Sequence, residues 1–114
     1  MNLAFATEEL RDYCEIEVMG ERAYGMEPAR HLRERLASLR EADTLFELLT
    51  GFPRPIPGYD GRCYEVSLTA GWYMIICAQH KKLPRREGAN GIDWSKVTRV
   101  IVQSITKVEA AHDE

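Results

Sequence analysis

The eleven residues from Gly51 to Gly61, GFPRPIPGYDG, hold three prolines and three glycines and decide how the rest of the chain can fold. Proline supplies no backbone N–H and fixes φ, and glycine carries high backbone entropy. The stretch therefore excludes both a regular helix and a central strand and is expected to be an exposed connector. It also marks a change of hydrophobic period. Before it, apolar residues recur at helical spacing; after it, they alternate or run continuously as in strands.

On the N-terminal side, residues 2–5 form a short apolar opening, and Thr7 is placed to cap a helix running through Leu10, Cys14 and Val18 and ending near Gly25. Pro28 suits the first turn of a second helix, in which Ala29, Leu32, Leu36 and Leu39 define one buried stripe. Arg30, Arg33, Glu34, Arg35 and Arg40 occupy the opposite face, so the pair reads as an antiparallel helical hairpin laid on an apolar surface. Asp43 is expected to cap a short turn through Leu45, Phe46, Leu48 and Leu49.

Beyond the connector, Tyr64, Val66 and Leu68 alternate with Glu65 and Ser67, and Thr69-Ala70-Gly71 can turn the chain back. The following WYMIICA, Trp72 to Ala78, is apolar on both faces and belongs in the middle of a sheet. A polar, cationic loop from Gln79 to Asn90 and a GIDWSKV turn capped by Asp93 lead to a last strand over Val97 to Ile105. The predicted order is β, α, α, β, β, β: an α+β fold with an N-terminal helical hairpin packed on a small, mostly antiparallel sheet.

A chain of 114 residues, 45% hydrophobic, fills one core, which predicts a single domain over 1–114 with 51–61 as its connector. Residues 1–7 hold no cationic run followed by an apolar run, and no apolar run approaches ~18 residues, so neither secretion nor a membrane partner is expected. Cys14, Cys63 and Cys77 are an odd set without a Cys-x-x-Cys pair, which suggests no disulfide framework and no zinc knuckle and fits a reducing cytoplasm. The net charge of −3 conceals an asymmetry: residues 1–61 sum to −5, residues 62–107 to +5 and residues 108–114 to −3. Such a division either sets a phosphate-facing surface beside an anion-avoiding one or reflects solvated helix faces plus a cationic loop.

The segments RLASLREADTLFEL, SLTAGWYMII and GIDWSKVTRV resemble the HigB-like plasmid-maintenance killer toxins, members of the RelE/ParE superfamily. Arg35, Leu36, Leu39, Ala42, Asp43, Thr44 and Leu45 match the family's helix-end pattern, and Gly91 to Thr98 match its late turn. The resemblance implies a RelE/ParE-like fold and the toxin role in a type II toxin–antitoxin system. It implies a ribosome-dependent mRNA endoribonuclease that works without metal or cofactor. A helix-turn-helix, HigA-like antitoxin would neutralise it and carry the complex to operator DNA. Three departures stand out. Met74 takes the place of the family's phosphate-facing arginine, Arg62 to Val66 merge two family strands into one, and the closing Asp-Tyr-His becomes Ala110, Ala111 and His112. They motivate an alternative, a RelE-fold binding or regulatory module without nuclease activity. Gyrase poisoning, as in ParE-like relatives, would share the fold, but no residue argues for it.

Cleavage of RNA by its own 2′-hydroxyl needs a proton acceptor, cations for the phosphorane and a donor for the leaving oxygen. His112 is the candidate acid or base, or else an ordinary tail histidine. Arg62, with Lys81, Lys82, Arg85 and Arg86, offers phosphate contacts or a solvated loop. Tyr73 and Tyr64 can donate a proton or stack on a base, or pack with their hydroxyls at the rim. The catalytic set is thus His112, Arg62 and Tyr73, and the RNA-binding set is Tyr64, Lys81, Lys82, Arg85 and Arg86. His31 and His80 lack partners at metal-ligand spacing, and Trp94 is expected to plug its turn against the sheet.

Overall fold

A computed structural model of the chain describes residues 1–48, 51–86 and 91–108. Within them the fold is α+β: β1 Asn2–Phe5, α1 Glu8–Glu15, α2 Glu17–Tyr24, α3 Met26–Glu41, β2 Arg54–Pro55, β3 Cys63–Ser67, β4 Trp72–Ala78 and β5 Arg99–Lys107. The five strands form one sheet in the order β1-β5-β4-β3-β2. β1 runs parallel to β5, and every other pairing is antiparallel.

The continuous apolar run of β4 sits where its composition requires, between β3 and β5, with Met74, Ile76 and Ala78 fully buried. Above them lie Ala29, Leu32, Leu36 and Leu39 of α3, each no more than 1% exposed. Val66, Val100 and Val102 complete the contact between helices and sheet. Each of the larger side chains among these, Leu, Ile, Val or Met, contributes about 1.5–3 kcal/mol by leaving water, so the stripe on α3 holds the two layers together. No helix among the described residues is long and apolar enough to cross a membrane.

The expected first helix is two helices. Thr7 does cap α1, accepting from the Leu10 N–H at 3.0 Å, but the chain becomes extended at Ile16 (φ −104°, ψ 111°) before α2 begins. The break carries Val18 out of the Leu10–Cys14 stripe, and it is 51% exposed. It also presses Gly20 against α1: a Cβ there would lie 2.5 Å from the Tyr13 carbonyl oxygen. Gly20→Ala gains about 1 kcal/mol of helix propensity, yet it forces backbone from backbone. The net result expected is a loss of about 1–2 kcal/mol, read as a lower midpoint in thermal unfolding. A midpoint at or above the native value would mean that α1 and α2 can separate freely.

Two further expectations are corrected. Asp43 does not cap the following turn, a 3₁₀ turn over Leu45–Glu47 that starts from Thr44; its own N–H donates to Glu47 Oε1 at 3.1 Å. Leu45 is buried while Phe46 is 62% exposed, and Leu49 lies outside the described residues. The connector contributes β2, whose proline is tolerated because it lies at the sheet edge.

The absence of a disulfide framework inferred from the odd cysteine count is corrected: Cys63 and Cys77 form a disulfide. They face each other across β3 and β4 with Cα atoms 4.1 Å apart. The Ala78 N–H donates to the Arg62 carbonyl beside them at 3.0 Å, which makes this a non-hydrogen-bonded pair, where side chains approach most closely. Cys14 remains a buried thiol, its pKa pushed up to about 12 chiefly by burial and then by the neighbouring Glu15 carboxylate.

Candidate functional site

Alternation along β4 sends Met74, Ile76 and Ala78 toward the helices, so Tyr73, Ile75 and Cys77 face the other way. On β5 the same face carries Arg99 and Ile101, then Ser104 and Thr106 after a register shift. Ile75 pairs with Ser104 but Ile76 with Val102, which leaves Gln103 as an extra residue. Such a bulge bends the strand and re-aims a side chain. Gln103 and Ser104 line a cavity of about 590 Å³ on this face, together with Ile56, Tyr59, Arg62, Cys63, Ile75, Cys77 and Ile101. The disulfide forms part of its wall.

Arg62 is exposed at this cavity, on the end of the hairpin where Ala78 meets it. Tyr73 shares the face but lies five residues back along β4, roughly 16 Å away at ~3.3 Å per residue. Two members of the expected catalytic set are thus at opposite ends of the β3–β4 hairpin. The third, His112, lies outside the described residues, as do Ala110 and Ala111.

The cationic loop leaves β4 at the Arg62 end. Lys81 and Lys82 are exposed there, and Arg85 pairs with Asp60 at 2.6 Å. With both side chains more than half exposed, that pair is worth no more than about 1 kcal/mol, but it ties the loop to the connector. Arg99, a cation missed in the sequence, joins the same end: the Gln79 N–H donates to its carbonyl at 2.9 Å. The alternation of Arg99 and Ile101 with the buried Val100 and Val102 was the signal that could have found it.

Tyr64 and Arg86 belong elsewhere. Tyr64 alternates with Cys63 onto the helix side, its ring centroid 4.9 Å from Trp94 and 6.2 Å from Phe46, and Arg86 lies beside it. Trp94 is 4% exposed and its Nε1 donates to the Gly61 carbonyl at 2.6 Å, the plug its turn requires. Asp93 caps that turn through the Ser95 N–H and hydroxyl. The hydroxyl is the main reason its carboxyl is held below the usual range.

Met74 requires a correction of a different kind. It is 0% exposed beneath α3, so position 74 does not face the solvent side of the sheet, and methionine there replaces no phosphate contact. Among the described residues no three His, Cys, Asp or Glu side chains gather to hold a metal ion. His80 Nε2 instead accepts from the Thr98 N–H at 3.2 Å.

Chemically, the sheet face offers apolar area beside a cationic end. The polar side chains lining the cavity are Tyr59, Arg62, Gln103 and Ser104, and no histidine, aspartate or glutamate is among its described lining residues. The cavity can bind, but acid–base chemistry would need a group from elsewhere in the chain. Set against protein-family models, curated proteins and solved structures, the chain matches none of them.

Proposed function

We propose that this chain is the toxin of a type II toxin–antitoxin pair, a RelE/ParE-like protein of HigB type that acts in the cytoplasm and cleaves mRNA on the ribosome. The observation that carries the reading is the sheet face turned away from the helices, with Arg62 lining its cavity and Arg99 at the same end, where the exposed loop bearing Lys81 and Lys82 leaves β4. Cations in that position suit a phosphate chain laid across an apolar floor. His112 follows the end of β5 by five residues and would supply the acid or base. A HigA-like helix-turn-helix antitoxin would mask this face and carry the complex to operator DNA.

Induction in a bacterial host without antitoxin should arrest growth and create new 5′ ends inside coding regions. His112→Ala should lower cleavage by about 10²–10⁴-fold, as removal of a general acid or base does. Cleavage unchanged in that variant removes His112 from the mechanism. Intact mRNA and normal growth with folded protein remove the nuclease reading.

The roughly 16 Å between Arg62 and Tyr73 favours a second reading, a binding module that engages an antitoxin or nucleic acid without cutting. Harmless overexpression together with tight antitoxin binding would support it.

A further inference from the structure

On the helix side of β3, two adjoining hollows of about 300 and 270 Å³ share Tyr64, Arg86, Ile92 and Trp94 and together make one groove. Phe46 forms one wall. Its neighbour Leu45 anchors the 3₁₀ turn in the core, so the Phe46 ring, 62% exposed, adds little to folding and presents an aromatic face to solvent. Tyr64 stands edge-on to both Phe46 and Trp94, which fixes the row of rings.

Arg86 is held beside that row by short-range pairing. Its N–H donates to the Gly91 carbonyl at 3.2 Å, the Asp93 N–H donates to the Pro84 carbonyl at 2.9 Å, and Arg85 is bound to Asp60. Asp93 and Ser95 lie in the same hollow as Phe46. The groove therefore combines an exposed ring, a guanidinium and an ionised carboxylate.

We infer that this groove binds one nucleotide of single-stranded RNA, its base stacked on Phe46, its phosphate on Arg86 and its ring N–H or amino group directed to Asp93. The inference rests on the RNA-directed reading above and adds a contact on the opposite side of β3 from the sheet-face cavity. An aromatic ring is a sequence-tolerant platform for any base, and arginine matches phosphate bidentately. An aromatic peptide side chain would use the ring but would leave the cation and the carboxylate unused together.

The test is fluorescence anisotropy of the full chain with a labelled mixed-sequence RNA hexanucleotide and with its base-free counterpart. Phe46→Ala, at an exposed position, should leave the thermal midpoint nearly unchanged and weaken hexanucleotide binding about fivefold or more, as loss of one stacked base does. Base-free binding should not change, and Phe46→Trp should restore affinity. Arg86→Gln should weaken both ligands and reduce the salt slope by about one.

Equal affinity of Phe46→Ala and native protein for the hexanucleotide overturns the inference, as does equal weakening for both ligands or no binding at millimolar concentration. If Arg62→Gln weakens binding while Phe46→Ala does not, the groove is excluded and the toxin reading survives. Phe46-dependent binding by a protein that neither arrests growth nor cuts mRNA upholds the groove and removes the toxin reading.

Discussion

Met74→Arg is expected to abolish folding. Met74 is fully buried, in register with Val66 on β3 and Ile105 on β5 and packed in the same cluster as Leu32 and Leu36. Among the described residues no acidic side chain is buried, so a guanidinium there would be both desolvated and unpaired. The cost exceeds about 5 kcal/mol, comparable with the ~5–15 kcal/mol that separates a domain of this kind from its unfolded state. Circular dichroism of the variant should show loss of structure, or the protein should fail to accumulate in soluble form. Tyr73→Arg is the control. That residue is half-buried on the opposite face beside Ser67 and Thr106, where a long cation can reach water, and its midpoint should fall by only a few degrees. The pair of variants reads the register of β4 directly, because a one-residue slip exchanges the two faces. A folded Met74→Arg with an unfolded Tyr73→Arg would reverse the faces described here and return position 74 to the surface, where the killer-toxin pattern has its arginine.

The same alternation shows how much was legible beforehand. The change of period at the connector, the Leu32–Leu36–Leu39 stripe, the central place of WYMIICA and the caps at Thr7 and Asp93 all follow from local chemistry, and the structure agrees with each. The break at Ile16 was not visible. No proline or glycine stands there, and Leu10, Cys14 and Val18 satisfy helical spacing; the break is coupled to the close approach of Gly20 to the Tyr13 carbonyl, a contact between two helices. β2 is two residues long, too short to leave a pattern. The site residues were harder still. Residue type points to Arg62, Tyr64 and Tyr73 but carries no information on which face each takes. Once the hairpin turns at Ala70, Tyr64 pairs with Ile76 and Tyr73 with Ser67, which puts the two tyrosines on opposite faces. The turn also brings Cys63 opposite Cys77, a pairing that the odd cysteine count had hidden. The Arg62 end of the face owes its charge to Arg99 as much as to the loop, because sheet order sets β5 beside β4.

Reduction of the Cys63–Cys77 bond is expected to lower stability by about 3 kcal/mol and the thermal midpoint by about 10–15 °C, measured with and without dithiothreitol. The two cysteines are 14 residues apart, and closing a loop of that size removes conformational freedom from the unfolded chain. In the folded state the bond adds little order, since the β3–β4 ladder already pairs the strands from Cys63 to Ser67. The effect therefore belongs to the unfolded state and should appear as a stability change without loss of the native circular dichroism. Alkylation gives an independent count. Cys14 is buried, with a thiol raised to about 12, so folded oxidised protein should resist labelling, and reduction followed by unfolding should release three thiols. Protein isolated with three free thiols would show that the bond does not form in the cell. A midpoint unmoved by reduction, in protein whose mass confirms the bond, would mean that the unfolded chain keeps the hairpin closed by itself. In a reducing cytoplasm, where the toxin reading places the protein, the ladder and the stripe on α3 must then hold the wall of the cavity without the covalent link.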